Sequence, residues 1–84
     1  MFSISFSSQA RKFMERAERK LTERLIAKIR KLMEELVPRD AKIIEGSNKR
    51  IFRVRVGDYR ILYEIYYEEK LIVIAKIDKR ERVY

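Results

Sequence analysis

The chain begins with an alternation of apolar and polar residues that is typical of a strand with one buried face. Phe2, Ile4 and Phe6 alternate with serines, and this period of two matches side chains that point to opposite faces of a strand. Ser7 or Ser8 then offers a hydroxyl that can cap the first turn of a helix. We therefore expect a short N-terminal strand that leads directly into a helix.

Apolar residues recur every three or four positions through the next part of the chain. These positions are Ala10, Phe13, Met14, Ala17, Leu21, Leu25, Ile26, Ile29, Leu32, Met33 and Leu36. The spacing is that of an amphipathic helix and predicts two helices or one bent helix, with a break near Lys20 to Thr22, where Thr22 can cap the second helix. Pro38 disfavours helical geometry at Val37, so we expect the second helix to stop there and a loop to follow.

The remainder of the chain predicts an antiparallel meander of three strands. They span residues 51–56, 59–67 and 70–77, with turns at Gly57-Asp58 and at residues 68–69. The last strand, LIVIAKI, is apolar on both faces and should lie between two others. A strand, a two-helix hairpin and this meander make an α+β fold in a single domain, residues 1–84, with the helices on one face of the sheet.

A two-residue turn at Gly57 and Asp58 fixes which side chains share a face. It puts Arg55 opposite Arg60, and because cross-strand partners point the same way, Arg53 joins them on one face. The other face, which the helices should cover, holds Phe52, Val54, Val56, Tyr59, Ile61 and Tyr63, so we expect Tyr59 and Tyr63 to pack in the core. Like charges directly opposite one another are destabilising, which favours an anion such as phosphate between Arg55 and Arg60. A solvated strand face in a Lys/Arg-rich protein explains the same pattern.

Charge and missing residue types narrow the possible functions. The 21 Lys and Arg exceed the 13 Asp and Glu by 8, a surplus that attracts nucleic acid, an acidic protein or an anionic membrane. The absence of Cys and His excludes disulfides, zinc fingers and His-dependent triads or dyads. No apolar run reaches the roughly 18 residues of a membrane span, and the N-terminus lacks signal-peptide order. We therefore expect a cytoplasmic protein without a membrane partner.

Three segments of the second half resemble motifs of RelE-type toxins in the RelE/ParE superfamily. They are FRVR at 52–55, GDYRILY at 57–63 and KRERVY at 79–84. The N-terminal strand and helix pair are similar to the family's layout. The resemblance implies a toxin of a type II toxin–antitoxin system: an endoribonuclease that cleaves mRNA on the ribosome and inhibits translation. The implied reaction is attack of a 2′-hydroxyl on the adjacent phosphate, with no metal and no cofactor.

The resemblance also assigns roles to individual side chains. The catalytic residues would be Arg53, Arg55, Arg60, Arg80 and Tyr84, and Lys79, Arg82, Lys49 and Arg50 would bind RNA. Clustered guanidinium groups offset the charge that builds on a phosphorane, while Tyr84 would stack on a base or handle a proton. RelE toxins often have lysines at positions 53 and 55, and many relatives have a histidine at position 79, so the identity of the general base stays open.

The partners implied by the resemblance are the ribosome with its mRNA and a RelB-like antitoxin. The antitoxin would drape an amphipathic helix and acidic residues over the basic face in a hetero-oligomer. Two alternatives from other functional classes stay open. One is a ParE-like toxin that poisons DNA gyrase by protein contact. The other is a non-catalytic nucleic-acid-binding module whose basic face follows phosphates. An inactive relative that is kept as a binding partner is a third possibility.

Overall fold

The computed structural model describes residues 1–44 and 51–79. These residues form β1 (Ser3–Phe6), α1 (Ser8–Arg16), α2 (Arg19–Glu34), β2 (Lys42–Ile44), β3 (Ile51–Val56), β4 (Tyr59–Tyr66) and β5 (Leu71–Lys79). The strands make one sheet in the order β1-β5-β4-β3-β2, in which β1 runs parallel to β5 and the other neighbours are antiparallel. The predicted α+β class and the meander of β3, β4 and β5 are confirmed. The described helices are too short or too polar to cross a membrane.

The sheet has one strand that the sequence did not predict. The sequence indicates a loop after the second helix, but Lys42–Ile44 form β2 at the edge of the sheet. Lys42 lies opposite Arg53, and Ile44 lies opposite Ile51. A strand of three residues is too short to show an alternation of apolar and polar positions in the sequence. β2 forms because it pairs with the hydrogen-bonding groups at the open edge of β3.

Side chains at the start of α1 make hydrogen bonds to the backbone of β5 as well as to the first turn of α1. Ser7 is the N-cap, as predicted: its Oγ accepts a hydrogen bond from the Ala10 N–H at 3.1 Å and donates one to the Ala75 carbonyl at 2.7 Å. The Gln9 Nε2 donates to the Ile77 carbonyl at 2.8 Å, and the Gln9 Oε1 accepts from the Ile77 N–H at 3.0 Å. These bonds pair backbone groups of β5 beyond the end of β1.

Both predicted helix boundaries were wrong by a few residues. The break lies at Ala17 and Glu18 rather than near Lys20 to Thr22, and α2 ends at Glu34, short of Val37. Ala17 adopts an extended backbone, and the Glu18 side chain makes no capping hydrogen bond. Because no capping side chain marks the junction, its position follows from how the two helices pack on the sheet.

The two helices cover one face of the sheet and form the core with it. The buried residues are Ala10, Leu25, Ile29, Leu32, Phe52, Val54, Val56, Ile61, Tyr63, Ile72, Ile74 and Ile77. Tyr63 is fully buried, its ring stacks on Phe52 at 5.6 Å, and its hydroxyl donates to the Leu36 carbonyl at 2.8 Å. Burial raises the pKa of Tyr63 above its usual value. The prediction that Tyr63 packs in the core is confirmed.

We predict that Tyr63→Phe lowers the free energy of unfolding by about 1–2 kcal/mol, because it leaves the Leu36 carbonyl without its donor. Urea unfolding followed by circular dichroism measures the change. The matched control is Tyr67→Phe, which removes a hydroxyl from an exposed ring and should change stability by less than about 0.5 kcal/mol. Equal effects of the two substitutions would contradict the role assigned to the buried hydroxyl.

Candidate nucleic-acid interface on the open face of the sheet

The face of the sheet that the helices leave uncovered, called the open face below, carries the predicted arginines. Gly57 has a φ of +59°, and the turn at Gly57 and Asp58 gives the predicted register, with Arg55 opposite Arg60. Asp58 is not among the described residues with positive φ, which fits the type II′ turn that Gly57 favours. Arg53 lies two residues from Arg55 on the same strand and so points the same way.

Two further cations, which sequence reasoning missed, complete a row across the open face. Lys42 of β2 lies opposite Arg53, which lies opposite Leu62, which in turn lies opposite Lys76 of β5. Residues directly opposite share a face, so this row brings three cations together. We call Lys42, Arg53, Arg55, Arg60 and Lys76 the basic cluster. The signal for Lys42 was absent because β2 itself was not predicted.

Arg60 has a counter-ion within the chain, which corrects the expectation of an anion held between Arg55 and Arg60. The Arg60 Nε donates to Asp78 Oδ1 at 2.7 Å, and a second guanidinium nitrogen donates to Oδ2 at 3.2 Å. Asp78 lies directly opposite Arg60 on β5. The hydrogen bond from Arg60 is the main cause that lowers the pKa of Asp78, with Lys76 at 3.7 Å adding to it. The bidentate bond fixes the guanidinium plane of Arg60.

A β-bulge puts Asp78 on the open face. The register of β4 with β5 shifts between Tyr63, which faces Ile74, and Leu62, which faces Lys76, so Ala75 is the extra residue. Without that shift, Arg60 would face Ile77 and Asp78 would lie on the helix side. The buried residues Ile72, Ile74 and Ile77 change from a spacing of two to a spacing of three. This change in period was the sequence signal for the bulge.

Arg53 is the most enclosed member of the basic cluster. It is half-buried, and among the described residues its Nε is a buried donor with no hydrogen-bond partner. A buried donor without a hydrogen-bond partner destabilises the fold, and no ion pair of Arg53 within the described residues accounts for the burial of its side chain.

The remaining predicted site residues divide into two groups. Lys79 lies opposite Tyr59 and therefore points to the helix side, away from the basic cluster. It lines a cleft there rather than the open face. The positions of Lys49, Arg50, Arg80, Arg82 and Tyr84 lie outside the described residues, so their roles stay predictions. Within residues 1–44 and 51–79, no group of three or more acidic side chains is placed to hold a metal ion.

Comparisons with known proteins agree with the resemblance seen in the sequence. The family model described as ParE toxin of type II toxin-antitoxin system, parDE, matches residues 4–84. The putative toxin RelE1 of Methanocaldococcus jannaschii is 38% identical over 45 residues, which cover 54% of this chain and 49% of that protein. The chain therefore matches about half the length of this curated relative.

Solved structures of RelE toxins share the whole fold. RelE in the RelE-RelB complex of Pyrococcus horikoshii is 28% identical with a TM-score of 0.83, and the match covers 98% of each chain. RelBE2 of Mycobacterium tuberculosis gives 25% identity and a TM-score of 0.80, with 94% of this chain and 98% of that chain covered. The isolated E. coli RelE toxin is 19% identical with a TM-score of 0.84 over 99% and 88%, a likeness of fold alone.

Within residues 1–44 and 51–79, one sheet, two helices and a cationic open face define a small toxin domain. The chain belongs to the ParE toxin family of type II toxin–antitoxin systems, within the RelE/ParE superfamily. The predicted family is thus confirmed.

We predict that the Arg60–Asp78 ion pair stabilises the fold at neutral pH and is lost in acid. The pKa of Asp78 is lowered in the folded state, so the contribution is present above the unfolded pKa of about 3.9 and disappears as the pH falls through the folded value. Asp78→Asn should therefore lower stability at neutral pH, and its difference from the parent should shrink as the pH falls below the unfolded pKa of about 3.9. Urea unfolding at a series of pH values measures this difference.

The control for this experiment is Glu23→Gln, which breaks the exposed ion pair with Arg19. Exposed pairs within one helix contribute little, so this variant should unfold like the parent at neutral pH. An Asp78→Asn difference that does not depend on pH would show that the carboxylate charge is not what stabilises β4 against β5.

Proposed function

We propose that this toxin is a metal-independent endoribonuclease that cleaves mRNA on the ribosome. The observation that carries the proposal is the juxtaposition of Arg53, Arg55 and Arg60 on the open face, in the register that the turn at Gly57 and Asp58 predicts. Two adjacent strands present these guanidinium groups from a packed sheet, and sites built on strands hold their side chains more precisely than sites on loops. The names of the structural relatives support the RelE type.

In the proposed reaction, a ribose 2′-hydroxyl attacks the adjacent phosphorus while the bond from phosphorus to the 5′-oxygen breaks. The products are a 2′,3′-cyclic phosphate and a 5′-hydroxyl; the proton leaves the 2′-oxygen, and a proton is added to the departing 5′-oxygen. Guanidinium groups of the basic cluster would stabilise the charge that develops on the phosphorane oxygens. Arg53, half-buried on the open face, and Arg55, exposed at the hairpin end, suit this role.

Proton transfer has to come from groups other than the arginines. An Arg side chain has a pKa above about 12 and is a poor general base at neutral pH. Asp78 is within the site, but its pKa is lowered by Arg60, which makes it a weak base and gives it the role of orienting Arg60. We propose Tyr84 as the group that handles a proton or stacks on a base, and Arg80 as a fourth guanidinium at the phosphate.

We propose that the ribosome positions the message, so we expect the reaction on free RNA to be slow. Orientation of reacting groups alone can supply many orders of magnitude in rate, so a site of cations and one phenol benefits from a substrate that is already held. The partner that silences the toxin would be a RelB-like antitoxin, in line with the RelE-RelB complexes of P. horikoshii and M. tuberculosis. Its acidic residues would neutralise the basic cluster in a hetero-oligomer.

We predict that the purified protein cuts a defined message during translation in vitro, with ends that primer extension can map. Arg55→Ala and Arg60→Ala should each slow cleavage by about 10²-fold, the scale of losing one donor to a developing oxyanion. The double variant Arg60→Ala, Arg80→Ala should leave the message uncut. A message that stays intact with the parent protein would end the nuclease proposal.

The matched control is Arg19→Ala, which removes the same charge from an arginine of α2 that is 93% exposed. It should cut like the parent. Thermal unfolding of each variant separates lost chemistry from lost folding, because Arg60→Ala also breaks the ion pair with Asp78. Arg55→Ala tests the chemistry without breaking that pair.

The second candidate function is poisoning of DNA gyrase, which the ParE name of the matching family model favours. We expect no inhibition of gyrase supercoiling by the purified protein, because the resemblance to RelE-type motifs implies that the cations of the open face act on RNA. A supercoiling assay with relaxed plasmid measures this directly. Inhibition of supercoiling together with an uncut message would replace the first function with the second.

A further inference from the structure

A second basic surface lies on the helix side of the sheet, at the junction of α1 and α2. It is a cleft of about 860 Å³ that is closed on one side by the ends of β4 and β5. Its charged lining residues are Lys12, Arg16, Lys20, Arg24, Lys79 and Glu18. Within the described part of the chain, five cations thus face one carboxylate across this cleft, which we call the junction cleft.

No ion pair or hydrogen bond within the described residues uses the cations of the junction cleft. Lys12 and Arg16 on α1, and Lys20 and Arg24 on α2, are each spaced by four residues, where like charges destabilise a helix. Lys28, by contrast, is paired with an aspartate.

The floor of the cleft is aromatic and apolar. The rings of Phe13 and Tyr59 meet edge to face, with centroids 5.7 Å apart. Aromatic rings bordered by cations are typical of surfaces that bind nucleic-acid strands. Protein–protein interfaces are depleted in lysine, whereas three of the five cleft cations are Lys12, Lys20 and Lys79. These features favour an RNA over an acidic protein as the occupant.

We propose that the junction cleft binds the phosphate backbone of an RNA, as a docking site separate from the open face. The pair Tyr59 and Lys79 is next to the pair Arg60 and Asp78 along the same two strands. Neighbouring pairs point to opposite faces, so both surfaces meet at one end of the sheet. One RNA segment can be held in the cleft while another lies on the basic cluster. RNA binding in the junction cleft does not depend on the proposed function. Only its purpose, to hold an RNA for cleavage on the open face, rests on that function.

The test compares two triple variants of equal charge in the binding of a short labelled RNA hairpin, followed by fluorescence anisotropy at several salt concentrations. The cleft variant carries Lys12→Gln, Arg16→Gln and Lys20→Gln. The control carries Arg11→Gln, Arg30→Gln and Lys31→Gln, at exposed helix positions that do not line the cleft.

The cleft variant should bind the hairpin at least about 10-fold more weakly, and the slope of log affinity against log salt should fall by about 2–3, since each lost phosphate contact removes about 0.7–0.9. The control should change the slope by less than about 1. The melting temperature of the cleft variant should equal or exceed that of the parent, because two like-charge spacings are relieved.

Two results would overturn the inference. Equal losses in both triple variants would mean that the RNA responds to net charge and not to the cleft. Binding of poly-glutamate to the cleft at salt concentrations that release the RNA would assign the cleft to an acidic protein partner instead. Failure of the proposed function is a distinct outcome: the parent would leave translated message uncut, while the difference in hairpin binding between the two triple variants persists.

Discussion

The two-residue turn at Gly57 and Asp58 is the constraint on which the rest of this structure depends. A positive φ at Gly57 closes the hairpin with Val56 opposite Tyr59. Side chains alternate between the two faces of a strand, so this pairing determines the face on which every other side chain of β3 and β4 lies. A slip of one residue would send the arginines into the core and the apolar residues to the open face. The helix packing and the basic cluster are therefore two consequences of one register.

A bulge in β5 shifts its register with β4 and so places one residue of the site. The bulge at Ala75 allows Ile77 to stay buried while Asp78 reaches Arg60 on the opposite face. Its carbonyl is met by the Ser7 hydroxyl, so the distortion does not leave that backbone group without a partner. The bulge therefore keeps Ile77 in the core and also places Asp78 where it orients Arg60.

Positive charge is arranged in two different ways on the two faces of the sheet. On the open face, Asp78 compensates and orients Arg60, and Arg53 is half-buried. In the junction cleft, cations gather along two helices without an ion pair among the described residues. The first arrangement suits chemistry at one phosphate, where geometry decides the rate. The second suits binding to a phosphate backbone, where the number of contacts sets the affinity.

The sequence by itself determined the elements whose signals are local. The alternation in β3 and β4 with Gly57 between them predicted the register and the shared face of Arg53, Arg55 and Arg60, and the stripe of α1 and α2 predicted the helical cover. Only the tertiary structure decided β2 and the helix break at Ala17, whereas the side on which Lys79 lies follows from the bulge, which the spacing of Ile72, Ile74 and Ile77 signals. β2 depends on the edge of β3, the helix break depends on packing against the sheet, and Ser7 and Gln9 bond β5 across 68 residues. A pattern read along neighbouring residues carries no record of such contacts.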